Sequence, residues 1–419
     1  MKILILADAF PPDYCDGAGI AAYRIAMALL ESGNELFVIT TTREKQKEGI
    51  SEYKGLKIYN IYSNYNLKLR SYVSLWNYFV VKKIDTLIRE IKPEVVHAHN
   101  IHTYLSYKSL ETAKKYCNAV LVTLHDLMAV HYGKFKNFYE KDCLSANCKY
   151  KYKISLTQKL SMAGKQYNLF RNMIIKHYLK FADKIFSISN EQKKVLETNG
   201  IKNIETVYNG INLDNWSAGD EAVKNFKEKY LLTENKIVFF AVNRLSVDKG
   251  SHVIIESFKK VKDGVPSAKL LIAGNVNHAT KDMQNIASNF AVADSICFTG
   301  LLSEESMKAA YASSDVCVTP SIYFDPFNLS NIEAMAAKKP VVGTCFGGTP
   351  EIIKDGTTGF IVNPFNVDMM SDKIVTLLNN SELAKNMGVN GANRVKNLFN
   401  IRIISEQYYQ YYKIFRKSK

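Results

Sequence analysis

The chain is 419 residues long, 47% hydrophobic and 23% charged, which excludes a disordered polypeptide and asks for two hydrophobic cores. Its formal net charge of +15 predicts an anionic partner: a nucleic acid, an anionic membrane surface or an anionic small substrate. No zinc-ligand spacing, RNP-like aromatic motif or basic-region heptad occurs, so nucleic acid ranks last and is not an expected partner.

Met1 and Lys2 lead directly into Ile3-Leu4-Ile5-Leu6-Ala7. That run is too short for the apolar region of a secretion signal and no cleavage site follows it. No apolar run reaches the length a bilayer requires. The seven cysteines are scattered and odd in number, which fits a reducing compartment better than a disulfide framework. The expected location is the cytoplasm, with contact at the inner face of a membrane as an option.

Short β-rich runs then alternate with longer helical periods. In the first half the expected strands are Lys2–Ala7, Glu35–Thr40, Leu56–Tyr62, Val95–Ala98, Ala119–Leu124, Lys184–Ser187 and Ile204–Val207. A second series comprises Ile237–Val242, Lys269–Ala273, Ser295–Thr299, Val316–Val318, Val341–Thr344 and Gly359–Val362. Such alternation predicts an α/β chain with two doubly wound, Rossmann-like parallel sheets. The boundary falls near Tyr208–Asp220, where Asn209-Gly210, Asn212-Leu213-Asp214 and Ser217-Ala218-Gly219-Asp220 supply turn chemistry. The expected division is 1–213, 214–399 and a closing helix, 400–419. Ligands of such folds bind beyond the carboxyl ends of the strands, here in the cleft between two sheets.

Between the strands, Leu156, Leu160, Ala163, Tyr167, Phe170, Ile174, Tyr178 and Phe181 recur at spacings of three and four. They predict one helix with an apolar face and with Lys165, Lys176 and Lys180 opposite it. Such a helix either packs on the core with a solvated basic back or lies near a membrane surface, where the lysines meet anionic headgroups.

The strongest chemical signal is Pro320-Ser321-Ile322-Tyr323-Phe324-Asp325-Pro326-Phe327-Asn328, running into a helix that carries Glu333. The amides of Phe327 to Ser330 would open the helix and favour a phosphate. Two carboxylates, Asp325 and Glu333, flank that position, and a carboxylate suits a vicinal diol because each oxygen accepts one hydroxyl proton. Upstream, Asn243-Arg244-Leu245-Ser246-Val247-Asp248-Lys249-Gly250 closes a strand and opens a helix. Arg244 and Lys249 could neutralise a diphosphate without a metal, Arg by its planar fork and Lys as a point charge. Downstream, Gly347 and Gly348 allow close backbone approach and Pro350 suits a first helical turn. In the first half, the loop after Leu124 brings His125 and Asp126 toward the expected cleft. His97 and His99 close an earlier strand, one expected on each side of the sheet, at least one of them a satisfied core histidine.

These loops together resemble the retaining glycosyltransferase family 4. The resemblance extends to Asp16-Gly17-Ala18-Gly19, Val96-His97-Ala98-His99, Thr123-Leu124-His125-Asp126 and Tyr208-Asn209-Gly210-Ile211-Asn212. It implies the GT-B fold, two Rossmann-like domains facing across a cleft. The implied activity is transfer of a hexose-type sugar from a nucleotide sugar to a saccharide or lipid-linked acceptor, with no metal and no further cofactor. By this resemblance His125, Arg244, Lys249 and Asp325 would be catalytic. Gly17, Gly19, Gly274, Phe327, Asn328, Leu329 and Glu333 would complete donor binding, with Glu333 on the ribose. His99 and Asp126 would face the acceptor.

Three positions depart from the family pattern. Asp325 stands where Glu is usual, Asn328 where Gly is frequent, and Asp16 where the first of two glycines is usual. They touch sugar recognition and the acceptor-side loop, not the diphosphate grip. Cys143 and Cys148 look like a shortened form of a cysteine-containing insert found in some exopolysaccharide enzymes. Two cysteines are too few for a zinc site. No Asp-x-Asp, P-loop or nucleophile elbow is present. The competing readings are a GT-B epimerase or phosphorylase and a non-catalytic nucleotide-sugar binding module.

Overall fold

The computed structural model describes every residue except 14–15, 141–142, 215, 276–277 and 418–419; the side chains of 243–244 and 278–279 also lie outside the description. The chain divides into two compact units. The first comprises 1–135, 152–210 and 401–419, the second 136–151 and 211–400.

The first unit is built on β1 (Lys2–Ala7), β2 (Glu35–Thr42), β3 (Gly49–Tyr53), β4 (Leu56–Tyr62), β5 (Val95–His99), β6 (Ala119–Leu124), β7 (Lys184–Ser187) and β8 (Ile204–Thr206). They lie in the order β3-β4-β2-β1-β5-β6-β7-β8. Every residue of β5 and β6 is buried, as expected for parallel strands covered on both faces. The sequence pattern marks all of these strands except β3. That strand pairs antiparallel with β4 at the sheet edge and none of its residues is buried, so no apolar alternation announces it. Helices Gly17–Glu31 and Ile401–Arg416 pack on one another and on the sheet, and the second buries Tyr408 and Tyr412 completely.

The second unit uses β9 (Lys236–Arg244), β10 (Ala268–Asn275), β11 (Ile296–Gly300), β12 (Val316–Thr319), β13 (Val341–Thr344) and β14 (Gly359–Val362). All are parallel, in the order β11-β10-β9-β12-β13-β14. In each sheet the strand order reverses once beside a central strand: between β1 and β5 in the first and between β9 and β12 in the second. The chain leaves the two strands at such a reversal toward helices on opposite faces, and the strand ends there are where ligands of doubly wound sheets bind.

Three expectations need correction. The segment 156–181 is not one amphipathic helix but two, Leu156–Ala163 and Arg171–Leu179. Gly164 takes a φ of 51°, which breaks the helical repeat, and Leu156, Leu160 and Phe170 are exposed. The segment 136–151 belongs to the second unit, although it lies within the stretch read as the first domain. Tyr150 donates to the Cys345 carbonyl at 2.8 Å and Asn363 donates to the Cys143 carbonyl at 2.8 Å. Lastly, Cys143 and Cys148 form a disulfide, where the scattered cysteines fitted a reducing compartment better than a disulfide framework. No helix among the described residues is long and apolar enough to cross a membrane.

Candidate active site

In the second unit, the loops after β9 and β12 meet at the reversal. The Ile322 amide donates to the Asp248 carbonyl at 3.0 Å. Gly250 holds a φ of 76°, and a Cβ there would lie 1.8 Å from the Pro320 carbonyl oxygen, so only glycine permits this approach. The contact brings Lys249 Nζ to 2.7 Å from Asp325 Oδ2. Burial by itself would lower the Lys249 pKa, but the Asp325 charge, followed by the Tyr323 hydroxyl, outweighs it and holds the ammonium above its ordinary range. The Tyr323 ring lies 5.3 Å from that ammonium. Ser321 Oγ adds a longer contact to Asp325 Oδ2 at 3.4 Å.

The loop after β13 clamps the Asp325 main chain. Gly348 donates to the Asp325 carbonyl at 2.9 Å, and a Cβ on Gly347 would sit 2.0 Å from that oxygen. Helix Leu329–Ala336 follows, with Asn328 as its N-cap accepting from the Ser330 amide at 3.1 Å. The residue that replaces the family's glycine therefore satisfies one of the helix's first amides itself. Phe327 is buried edge-on against Phe399. Glu333 lies on the same helix and accepts from Tyr311 at 3.1 Å, while its carbonyl accepts from Trp216 Nε1 at 2.9 Å. Segment 136–151 caps this region with rings: Tyr139 stacks on Phe346 and Phe138 meets Phe324 and Phe346 edge-on.

In the first unit the equivalent crevice lies beyond β1 and β5. The carboxylate of Asp8, just past β1, accepts from the amides of Thr103, Tyr104 and Leu105 at 2.7–2.8 Å, and burial raises its pKa. His97 and His99 do not serve opposite faces. Residues two apart on a strand share a face, and the two rings are 4.1 Å apart. His97 is the satisfied core histidine, bonded to Tyr412 at 2.6 Å and Thr123 at 2.8 Å. His99 Nδ1 meets His125 Nε2 at 3.0 Å. The other nitrogen of each ring is buried with no hydrogen-bond partner among the described residues. One ring must donate to the other, so the tautomers are linked: one outer nitrogen carries a proton and the other is bare. Burial lowers the His125 pKa to about 4 and holds His99 well below its usual value.

Asp126 is anchored by His102 at 2.8 Å, Asn100 at 3.0 Å and the Met128 amide at 2.8 Å. Asn100 also accepts from the His125 amide at 2.9 Å, and Gln192 ties down the Leu124 and Asp126 carbonyls. The imidazole and its carboxylate neighbour are thus fixed as one loop.

The remaining predicted residues are placed as follows. Gly17 and Gly19 occupy the first turn of helix Gly17–Glu31, where the Asp16 carboxylate accepts from the Ala18 and Gly19 amides at 3.1 Å each. That carboxylate takes the position an anion would use at this helix terminus. Gly274 lies near the end of β10, where a Cβ would meet the Val242 carbonyl oxygen at 2.7 Å; its glycine serves strand packing. Leu329 is the first residue of its helix. Arg244 ends β9 opposite Asn275, and its side chain lies outside the described residues. Sequence reasoning missed Asp8, Asn100, His102, Tyr311 and Tyr323. Asp8 had a local signal, a carboxylate directly after the first strand, whereas Tyr311 sits in the last turn of helix Glu304–Ser313 and reaches Glu333 only through folding.

Two family descriptions match this chain: "Glycosyltransferase Family 4" over residues 15–215 and "Glycosyl transferases group 1" over residues 222–394. An uncharacterised glycosyltransferase of Methanocaldococcus jannaschii is 26% identical over 377 residues, which is 88% of this chain and 87% of that protein. Among solved structures, sucrose-phosphate synthase from Thermosynechococcus elongatus aligns over 100% of both chains with a TM-score of 0.77 and 19% identity. HepE of Anabaena, solved with UDP and glucose, aligns over 98% of this chain and 99% of its own, with a TM-score of 0.72 and 14% identity.

Proposed function

Because the chain belongs to glycosyltransferase family 4 and carries the GT-B fold, we propose that it moves a hexose-type sugar from a nucleotide-sugar donor to a saccharide acceptor. The proposed acceptor is lipid-linked, a precursor of a cell-surface polysaccharide, met at the cytoplasmic face of a membrane. Transfer is proposed to retain anomeric configuration and to need no metal. The observation that carries this reading is the meeting of the β9 and β12 loops at the sheet reversal. It sets Lys249, Asp325 and the start of helix Leu329–Ala336 side by side.

In this mechanism the acceptor attacks on the face from which the diphosphate departs. Leaving-group charge is met by Lys249, Arg244 and amides at the helix N-terminus, which are fixed before reaction and require no reorganisation. The departing phosphate oxygen takes the acceptor's proton, so no strong protein base is demanded. Asp325 holds the Lys249 ammonium in position, and the donor phosphate then shares that ammonium. Glu333, oriented by Tyr311, accepts the ribose hydroxyls. His125, held neutral by burial, offers the sugar a hydrogen bond without adding charge.

Two measurements test the proposal in sequence. A thermal-shift panel of nucleotide sugars should pick out a donor that stabilises the protein by mass action. The product formed from that donor and a simple glycoside should show, by NMR coupling at the anomeric carbon, the donor's own configuration. An inverted product would remove retention; a bound donor never transferred to any acceptor would remove the transferase reading in favour of a binding module.

A further inference from the structure

The first unit exposes large apolar side chains in two stretches of sequence. Tyr72, Trp76 and Phe79 come from the first and Leu169, Phe170 and Met173 from the second, with Phe79 77% and Leu169 68% exposed. Neither group is an uncovered piece of core. Helix Tyr78–Ile91 buries Val80, Val81, Ile84, Ile88 and Ile91, which leaves Phe79 on its outer side. Helix Arg171–Leu179 buries Ile175, Tyr178 and Leu179, which leaves Met173 outward.

The two stretches are packed together. Tyr72 donates its hydroxyl to the Tyr167 carbonyl at 3.5 Å and Asn168 donates to the Ser71 carbonyl at 3.2 Å. Lys108 stands over both the Trp76 ring at 5.5 Å and the Tyr178 ring at 5.6 Å. The exposed side chains therefore belong to adjoining elements of one surface. Contiguous apolar surface of this kind is uncommon on a soluble monomer and marks an interaction site.

Charge identifies the partner. Residues 53–84 and 143–182 contain no aspartate or glutamate. Lys68, Lys82, Lys159, Lys165, Lys176 and Lys180 supply cations among and around the apolar side chains. A second copy docking face to face through a two-fold axis would set these lysines against themselves. A single-stranded nucleic acid would reward stacking rings, but Leu69, Leu156, Leu160 and Leu169 gain nothing by stacking on bases. A bilayer with anionic headgroups satisfies both components, since the apolar side chains enter the acyl boundary while the lysines stay at the headgroup level.

We propose that this face docks the first unit on an anionic lipid bilayer, through the aromatic and aliphatic tips of 67–79 and 156–173 with the surrounding lysines. The proposal deepens, and rests on, the reading of a lipid-linked acceptor, because it would hold the acceptor-side unit at the surface where such a substrate resides. Docking is reversible: the exposed tips are short and no described helix spans a bilayer.

The test is co-sedimentation of the full chain with vesicles of phosphatidylcholine alone and of phosphatidylcholine mixed with phosphatidylglycerol. Binding is expected to the mixed vesicles at low salt, to weaken as salt rises, and to be absent with phosphatidylcholine alone. The double variant Phe79→Ala/Phe170→Ala should bind about tenfold more weakly or worse, from lost apolar insertion. Replacing Lys165 and Lys180 by Gln should cost about fivefold for each lysine. All four side chains are exposed, so melting temperatures and donor binding without vesicles should match the wild type. Wild-type protein left in the supernatant with anionic vesicles would overturn the proposal. So would binding that these variants do not change, or a dimer in solution that Phe79→Ala dissociates. If docking fails while donor binding and transfer to a soluble glycoside persist, only the surface assignment falls; if donor binding also fails, the transferase reading falls with it.

Discussion

The Lys249–Asp325 pair of the second unit lies beyond β9 and β12, the strands that flank its sheet reversal, and the His99–His125 pair of the first lies at the carboxyl ends of the neighbouring strands β5 and β6. They are held in opposite electrical states. Lys249 and Asp325 face each other as full charges at 2.7 Å, with the carboxylate side chain only 6% exposed. His99 and His125 are neutral rings whose facing nitrogens lie 3.0 Å apart, because burial outweighs the Asp126 charge that would favour an imidazolium at His125. A charged pair is kept by mutual attraction and fails when one member is removed. A neutral pair is kept by packing and hydrogen bonds and fails when pH supplies a charge. The same contrast suits the proposed chemistry, in which the donor side must meet a diphosphate and the acceptor side must not compete with it.

Removing one charge should give the largest effect. Lys249→Met leaves a buried carboxylate uncompensated and should destabilise the second unit by about 3–5 kcal/mol, read from its urea unfolding transition. The double variant Lys249→Met/Asp325→Leu should recover most of that loss. A double variant no more stable than the single one would mean that the two charges are not coupled.

Acidification comes next and should act on the first unit. Burial lowers the pKa of His97 to about 3 and of His125 to about 4, from an ordinary value near 6.5. These rings take up protons less readily folded than unfolded, so stability present above pH 6.5 should be lost as the pH falls toward 4. The slope is about 1.4 kcal/mol per pH unit for each ring. His102 works the other way. Burial tends to lower its pKa, but Asp126 outweighs this and raises it, so its contribution is present below 6.5 and lost as pH rises through the raised value. Urea unfolding at pH 7 and pH 5 should show the net loss on the acid side, and His125→Gln should make the dependence shallower. An unchanged slope in that variant would remove His125 from the neutral array.

The smallest effect sharpens the donor side. Tyr311→Phe deletes one hydrogen bond to Glu333 and should cost about 1 kcal/mol of stability. If Tyr311 orients the ribose carboxylate, the donor KM should rise while kcat holds. A fall in kcat with KM unchanged would place Tyr311 outside donor binding.

Much of this was legible in the residues. The strand runs stand out because buried parallel strands are nearly continuous apolar stretches, and the start of helix Leu329–Ala336 was readable from Asn328 and its neighbours. The edge strand Gly49–Tyr53 was not, because it buries nothing. The helix expected over 156–181 failed because periodicity continues across Gly164 while the backbone does not. His97 and His99 were misplaced by a simple error of phase, since alternate residues return to the same face.

Local sequence by itself determined the alternation of strands and helices and the chemical kinds available at their ends, because periodicity and turn chemistry act over a few residues. Tertiary structure alone decided which of those groups meet. It set Lys249 against Asp325 across 76 positions of sequence, Tyr311 against Glu333, and His99 against His125. It also joined residues 67–79 and 156–173 into one apolar, basic face. The physical reason is that strand order and helix packing bring elements distant in sequence side by side, as the β9 and β12 loops meet at their sheet reversal, and no pattern within a single segment records which neighbour it will gain.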